Sequence, residues 1–554
     1  MKRIIFALIA LTSISQINAQ IARKVLPKTI NITGRHQIAP SISGDGKTMI
    51  FLSTYSPSEQ LELMYTYQTR PGVWATPESV TEVNKTSDYN YIRGFSLSYD
   101  GKTIYFSSRR GQGIGGYDIM FTEKKGGYWT PARNIGKPVN SGGHDGAPSV
   151  SPDGQTIYFM RCSQMNKNEA GGCELWVAQR RNKELWNEPT RLSGIINNGN
   201  ASMPKILPDN KTLIFASDRS GKGGMDLFIA KNMDGVWSQP EPLYFLNTSS
   251  DDLFASVPAK GTEVYFSSKF RDFHNIMVSK LPEQFRPQKV VLMEGTAIDE
   301  VSGEPIKAFV QVYDANSQKR VQYARTSEHN GHFQMIFPVG DAYDFSVVSL
   351  DKEHFYYSKI YYKDSLDSSI KEKIEVPLKR IKPGLNFVSQ NIVFEPNSAA
   401  LRPESNLELR RLMKILKDHP NINLEIGIHT DEVLRDSIYR EGLTEMSVDT
   451  VYLAQPEIPN YDTDSASTSV EMEEDSTFTT HSEESVTEAY ELKYTYHNDR
   501  TQKQAETLLN YFIDKGVPPD RLSISGFGDS QPLTTNDTYG NRMKNRRIEI
   551  KLLD

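Results

Sequence analysis

The chain has 554 residues, more than one hydrophobic core accommodates, so two to four domains are expected. Its composition, 38% hydrophobic and 24% charged, is that of ordinary folded domains and excludes a wholly disordered chain. The net charge of −6, with no concentrated basic cluster, excludes a nucleic-acid clamp.

Residues Met1 to Ala19 have the layout of a secretory signal, with Lys2-Arg3, the apolar run Ile4 to Leu11, and Asn18-Ala19 before Gln20. That run is too short to span a bilayer, and no later run approaches spanning length, so an exported soluble protein with no transmembrane span is expected. Two cysteines occur, Cys162 and Cys173. In an exported chain they are candidates for one disulfide bracing a loop from Ser163 to Gly172; two buried thiols are the alternative.

From Pro40 to Ser268 one unit recurs five times at a period of about fifty residues. Each copy places a turn between a short strand and a strand rich in Tyr and Phe, at Asp45-Gly46, Asp100-Gly101, Asp153-Gly154, Asp209-Asn210 and Lys260-Gly261. Trp74, Trp129, Trp186 and Trp237 follow in four copies, each with a proline two or three residues on, and the fifth copy lacks them. Pro27 to Asn31 repeats the pattern around Pro242 to Asn247, so a strand from the start of the mature chain is expected to complete the fifth copy. Radial repetition of such sheets predicts a five-bladed β-propeller over 20–285. Gly111-Gln-Gly113-Ile-Gly-Gly116 spells a dinucleotide fingerprint but lies between two strands, so it reads as a hairpin turn and implies no cofactor. Asp118 and Asp226 read as strand-start hydrogen-bond acceptors.

Between about 290 and 380 the repeat gives way to short alternating strands, among them Ala308 to Tyr313 and Gly331 to Phe337, which predict a small β-sandwich. His329, His332 and His354 match no metal-ligand spacing, and solvated or hydrogen-bonded histidines are expected. Residues 383–554 combine helical spacing at Leu409, Leu412, Met413 and Leu416, an alternating strand at Ile422 to Ile428, and a second helix from Asp499 to Lys515. Strands at Leu522 to Ser525 and Arg547 to Leu552 follow, which predicts an α+β domain. An insertion at 432–496 interrupts it. From Glu441 to Glu491 there are 14 Asp or Glu and no Lys or Arg, leaving 63 basic against 55 acidic residues elsewhere. A solvated or disordered excursion is expected there, with an acidic flap over a binding pocket as the alternative.

The series Asn391-Ile-Val-Phe394, Ile426-Gly-Ile-His429-Thr430-Asp431, Gly526-Phe-Gly528 and Asn545-Arg546-Arg547 resembles the OmpA-like peptidoglycan-binding family. The repeats resemble those of TolB and the WD40-like PD40 family, and the middle segment resembles carboxypeptidase regulatory-like domains. The first resemblance implies a non-catalytic domain that binds the stem peptide of peptidoglycan through His429, Thr430, Asp431, Phe394 and Arg546. In that family an aspartate faces the ammonium of diaminopimelate, and a helix arginine forks onto its carboxylate. Asp431 matches, but Gln504 stands in the place of the arginine. Arg500 lies one helical turn earlier and is either its substitute or a solvated surface residue.

The combination resembles wall-anchoring envelope proteins beside the type IX secretion and gliding machinery of Bacteroidetes. It implies a periplasmic adaptor at the wall and outer membrane whose propeller meets another envelope protein. A wall-tethered module for a soluble ligand in the propeller channel is the alternative. A propeller-gated hydrolase is not supported, since no Gly-x-Ser-x-Gly elbow occurs. Neither a metal nor a cofactor is implied.

Overall fold

The computed structural model describes residues 23–55, 60–85, 93–109, 113–166, 169–182, 185–219, 221–270, 272–362, 371–396, 398–430, 444–452, 490–498 and 500–554. The signal-like segment 1–19, Asp431 and the centre of the acidic insertion lie outside the described residues. The chain divides between Ile381 and Lys382 into two compact units.

The first unit begins with five antiparallel sheets of four or five strands each. Their inner strands are Gln37–Ile42, Phe95–Leu97, His144–Val150, Ala201–Ile206 and Ala255–Ser256. Each pairs with a second strand carrying the Tyr-Phe pattern, which pairs with a third. In the second strands both faces are buried, as with Met49, Ile50, Phe51 and Leu52, because each sheet packs against a neighbour on either side. The turns follow from their residues. Ser43 Oγ donates to Asp45 Oδ1 at 2.5 Å, Lys47 N–H donates to the same oxygen at 2.9 Å, and Gly46 takes φ +71°. The arrangement recurs at Ser98 and Asp100 and at Ser151 and Asp153.

One asparagine per sheet closes the third strand. Asn84, Asn140, Asn197 and Asn247 each accept a backbone N–H through Oδ1 and donate through Nδ2 to the carbonyl of the same residue. Those residues are Leu63, Ile119, Leu175 and Leu227, at 2.7 to 3.1 Å. Each of these carbonyls also accepts a backbone N–H, from Val80, Ile135, Leu192 or Leu243, while the N–H groups are satisfied by the side-chain amide. In the fifth sheet Asn31 performs this task on Ile276, at 2.8 and 2.9 Å. The pairing strand is Arg23–Val25, in register with Met277 to Ser279. The expected strand at Pro27 to Asn31 is therefore displaced. Ile30 and Asn31 N–H both donate to Pro27 O at 2.9 Å, so this stretch is a turn, the form Leu243 to Asn247 also takes.

Cys162 and Cys173 form a disulfide between directly opposed residues of two paired strands. The segment between them is not the open loop expected, because the strands run on to Met165 and resume at Ala170. Asp118 Oδ2 accepts Ile114 N–H at 2.6 Å, and Asp226 Oδ2 accepts Lys222 N–H at 2.5 Å, the acceptor role read from their positions.

The rest of this unit is two sheets face to face. Val290–Asp299 lies between His332–Pro338 and Lys371–Leu378; the second sheet runs in the order Arg320–Arg325, Ala308–Asp314, Ala342–Ser349, Tyr357–Tyr362. Met293, Val310, Val312, Phe333, Phe345 and Val376 fill the space between them. His354 is buried between Asp299 and Asp351, at 2.9 and 3.0 Å, and Arg380 Nε donates to Asp299 at 3.0 Å. Among the described residues no cluster of three metal-ligating side chains is assembled.

The second unit contains β1 (Asn386–Ser389), α1 (Ser405–Asp418), β2 (Asn423–His429), β3 (Thr444–Tyr452), β4 (Tyr490–Asn498), α2 (Arg500–Asp514), β5 (Leu522–Gly528), α3 (Tyr539–Asn545) and β6 (Arg547–Leu553). One sheet has the order β1-β6-β2-β5, with β2 and β5 parallel. Leu409, Leu412, Leu508 and Phe512 of the helices and Leu424, Ile426 and Ile550 of the strands are buried. The insertion is not wholly unstructured, because β3 and β4 pair antiparallel from Thr444 with Asn498 to Tyr452 with Tyr490. Their sequences are rich in Val, Thr and Tyr, which suit strands, while the acidic charge is densest between them.

Candidate binding site in the C-terminal unit

A cavity of about 880 Å³ opens in the second unit, a size that suits a small ligand. Phe394, His429, Thr430, Arg500, Gln504 and Arg546 all line it. These are the expected site residues other than Asp431, which follows Thr430 directly but lies outside the described residues.

The end of β2 and the start of α2 form one wall. Thr430 N–H donates to Gly528 O at 2.9 Å, so the residue after β2 stays tied to β5. Thr501 Oγ1 in turn accepts Gly528 N–H at 2.9 Å, which anchors the first turn of α2 to the same point. The approach is close because residue 526 is glycine: a Cβ there would collide with the backbone of Thr501 and Gln502. With the helix start held so near β2, Arg500 Nη2 donates to Thr430 Oγ1 at 3.0 Å. Arg500 is thus half-buried and inside the cavity. Gln504, one turn on, is buried and donates through Nε2 to Ser398 O at 2.8 Å, so its amide holds the loop that leads to α1.

His429 lies flat against Phe527, with ring centroids 5.0 Å apart and planes 15° from parallel. Burial and the nearby Arg547 guanidinium push its pKa down, against a smaller upward pull from Glu549, which favours the neutral ring. Neither ring nitrogen has a hydrogen-bond partner among the described residues; Glu549 Oε2 stands 3.9 Å from Nε2.

A further part of the lining is set by residues that sequence reasoning did not assign. Asn545 is fully buried at the end of α3 and accepts Leu533 and Thr534 N–H at 2.8 and 3.1 Å while donating to Thr534 O at 2.8 Å. Arg547 donates to Glu549 Oε1 at 2.6 Å and to Gln531 O at 3.0 Å. Together they shape the 531–536 loop, from which Leu533 reaches the cavity beside Arg546 and Met543. The Asn545-Arg546-Arg547 string carries the signal in the sequence, although the family resemblance implies only Arg546 at the site.

Residues 477–546 match the OmpA family. The C-terminal unit carries an OmpA family domain. The matched stretch takes in β4, α2, β5 and α3, which supply Arg500, Gln504 and the 531–536 loop. Motility protein B of Helicobacter pylori strain J99 is 36% identical over 58 residues, 10% of this chain and 23% of that protein. Outer membrane protein A of Bordetella avium is 33% identical over 67 residues, 12% of this chain and 31% of that protein. The chain thus spans less than a third of the length of these relatives. Among solved structures, the periplasmic domain of Helicobacter pylori MotB overlaps at a TM-score of 0.19 and 19% identity, covering 31% of this chain and 78% of that one. A TolB-type protein from Agrobacterium tumefaciens overlaps at 0.28 and 18% identity, covering 47% and 85%.

Proposed function

We propose that this protein is a non-catalytic adaptor of the bacterial cell envelope whose OmpA family domain binds the stem peptide of peptidoglycan. The observation that carries the reading is the Arg500–Thr430 contact inside the cavity, 3.0 Å long, in a domain of this family. A zwitterionic ligand such as diaminopimelate needs one fixed charge of each sign. Arg500 offers the guanidinium for the carboxylate, in place of the helix arginine replaced by Gln504, and Asp431 offers the carboxylate for the ammonium. His429 and Phe394 line the same space, and Arg546 adds a second cation to it.

In this reading the five sheets are the blades of a β-propeller closed by the N-terminal strand. The repeated asparagine bracket, completed by Asn31, supports it. So does the single cavity lined by all five inner strands. The domains run 20–285, 290–380 and 383–554 after a signal at 1–19, and the protein works in the periplasm against the wall and outer membrane. The propeller presents a surface to another envelope protein, of the type IX secretion or gliding kind. A soluble ligand in the propeller channel is disfavoured, because that cavity measures about 30 Å³, against several hundred for an organic ligand.

The test is retention of the purified full chain on peptidoglycan sacculi, with a diaminopimelate-containing peptide as competitor. Wild type is expected to be retained and competed off, and Asp431→Asn and Arg500→Ala to be released. Equal retention of all three proteins would sink the reading.

A further inference from the structure

The cavity where the five inner strands meet has an uneven polar lining. Ser41, Ser96, Ser149, Lys205 and Ser256 hold the same register position, opposite Ile50, Tyr105, Tyr158, Ile214 and Tyr265. Three of these serines lock one sheet to the next. Ser256 Oγ accepts Ile42 N–H at 3.0 Å, Ser41 Oγ accepts Leu97 N–H at 3.0 Å, and Ser149 Oγ accepts Ile206 N–H at 3.1 Å. The hydroxyl protons of Ser41 and Ser256 meet no protein acceptor among the described residues, and Ser96 Oγ is buried without a partner.

Lys205 breaks the serine pattern. It is 7% exposed, lines the cavity, and has its Nζ 5.1 Å from the centre of the Tyr99 ring. No carboxylate pairs with it among the described residues, and none lines the cavity. The polar side chains there are Ser41, Ser96, Ser256 and Lys205; the rest are apolar or proline. Tyr99 donates to Ile206 O at 2.9 Å and packs with Ala259, Val290 and Ile336, and a Cβ on Gly44 would collide with Ile336.

A largely buried ammonium that shares its cavity with hydroxyl donors and no carboxylate is unfavourable by itself. Burial alone pushes Lys205 down to about 8, so it still carries its charge at neutral pH. A volume of about 30 Å³ suits an occupant the size of one water or a single halide ion. We propose that this cavity binds one small monovalent anion of halide size, held by the Lys205 ammonium and the hydroxyls of Ser41, Ser96 and Ser256. The anion neutralises the lysine and gives the serine protons an acceptor, pinning the first, second, fourth and fifth sheets to one point.

The test uses the full chain in two ways. Crystals grown in sodium bromide are expected to show an anomalous peak in this cavity. Thermal unfolding, followed by tryptophan fluorescence, is expected to shift upward by about 2–4 °C in sodium chloride over sodium gluconate at equal ionic strength. Lys205→Met should abolish that shift, and Ser96→Ala, the milder change, should reduce it. A featureless or water-like density in bromide, or the same chloride response in wild type and both variants, would overturn the assignment.

Discussion

The two cavities of this protein are built on opposite plans. The one among the five sheets is small, and its polar residues hold a register position that recurs around the array, so that Lys205 stands out against four serines. The one in the OmpA family domain is large and open, and each of its walls is made once, from segments as far apart as Phe394, Thr430, Arg500 and Arg546. In the repeated region a residue's task is copied, and a departure from the copy marks something specific. In the C-terminal unit nothing is copied, and a residue's task depends on which elements are brought side by side.

That contrast is most exposed to test at the asparagine brackets. Asn197→Ala removes hydrogen bonds to Leu175 N and O and to Leu192 O, and should destabilise the first unit by about 3 kcal/mol. Asn31→Ala should cost about as much if the N-terminal segment is an equal member of the array; a loss under about 0.5 kcal/mol would break the equivalence. Urea unfolding read by tryptophan fluorescence reports on this unit alone, since all five tryptophans lie before residue 382.

Lys205 comes next. Its pKa falls from 10.5 to about 8, so between those values the unfolded chain holds a proton that the folded chain has released. In halide-free buffer stability should therefore rise as pH increases from about 8 to 10.5, by up to about 3 kcal/mol, and Lys205→Met should flatten the rise. An equal rise in the variant would show that another group is responsible.

In the second unit, Gly526→Ala should destabilise by about 2 kcal/mol, because the added methyl must push α2 away from β5. It should also weaken retention on sacculi by moving Arg500 off Thr430; unchanged retention would mean that the close approach does not set the site. Arg500→Ala itself should lower affinity by about tenfold or more, as loss of a charge-assisted contact does. Gln504→Ala, whose amide is engaged by Ser398 O, should change affinity by less than about threefold. A reversed order would restore position 504 as the ligand contact.

Much of the fold was legible because hydrophobic periodicity and turn chemistry act locally. The Asp-Gly turns, the Tyr-Phe strands and both long helices of the C-terminal unit fall where their residues place them. Structure and expectation part where a partner decides the conformation. Pro27 to Asn31 looks like a strand because it copies Pro242 to Asn247, yet Pro27 to Asn31 and Leu243 to Asn247 are both turns whose asparagine reaches across to another strand. The ribbon of β3 and β4 is hard to see in the sequence because the acidic charge of the insertion masks the strand-forming residues at its two ends. The short helix α3, with Asn545 buried at its end, has no long apolar face to announce it.

The amino-acid sequence by itself determined the number of repeats and pointed to Phe394, His429, Thr430, Arg500, Gln504 and Arg546 at the larger cavity, since these rest on local pattern and on side-chain chemistry. Tertiary structure alone decided that Arg500 reaches Thr430 while Gln504 turns to Ser398, and that Lys205 meets serines and no carboxylate. Those outcomes depend on how closely a helix approaches a strand and on which strands converge, distances that sequence spacing does not encode.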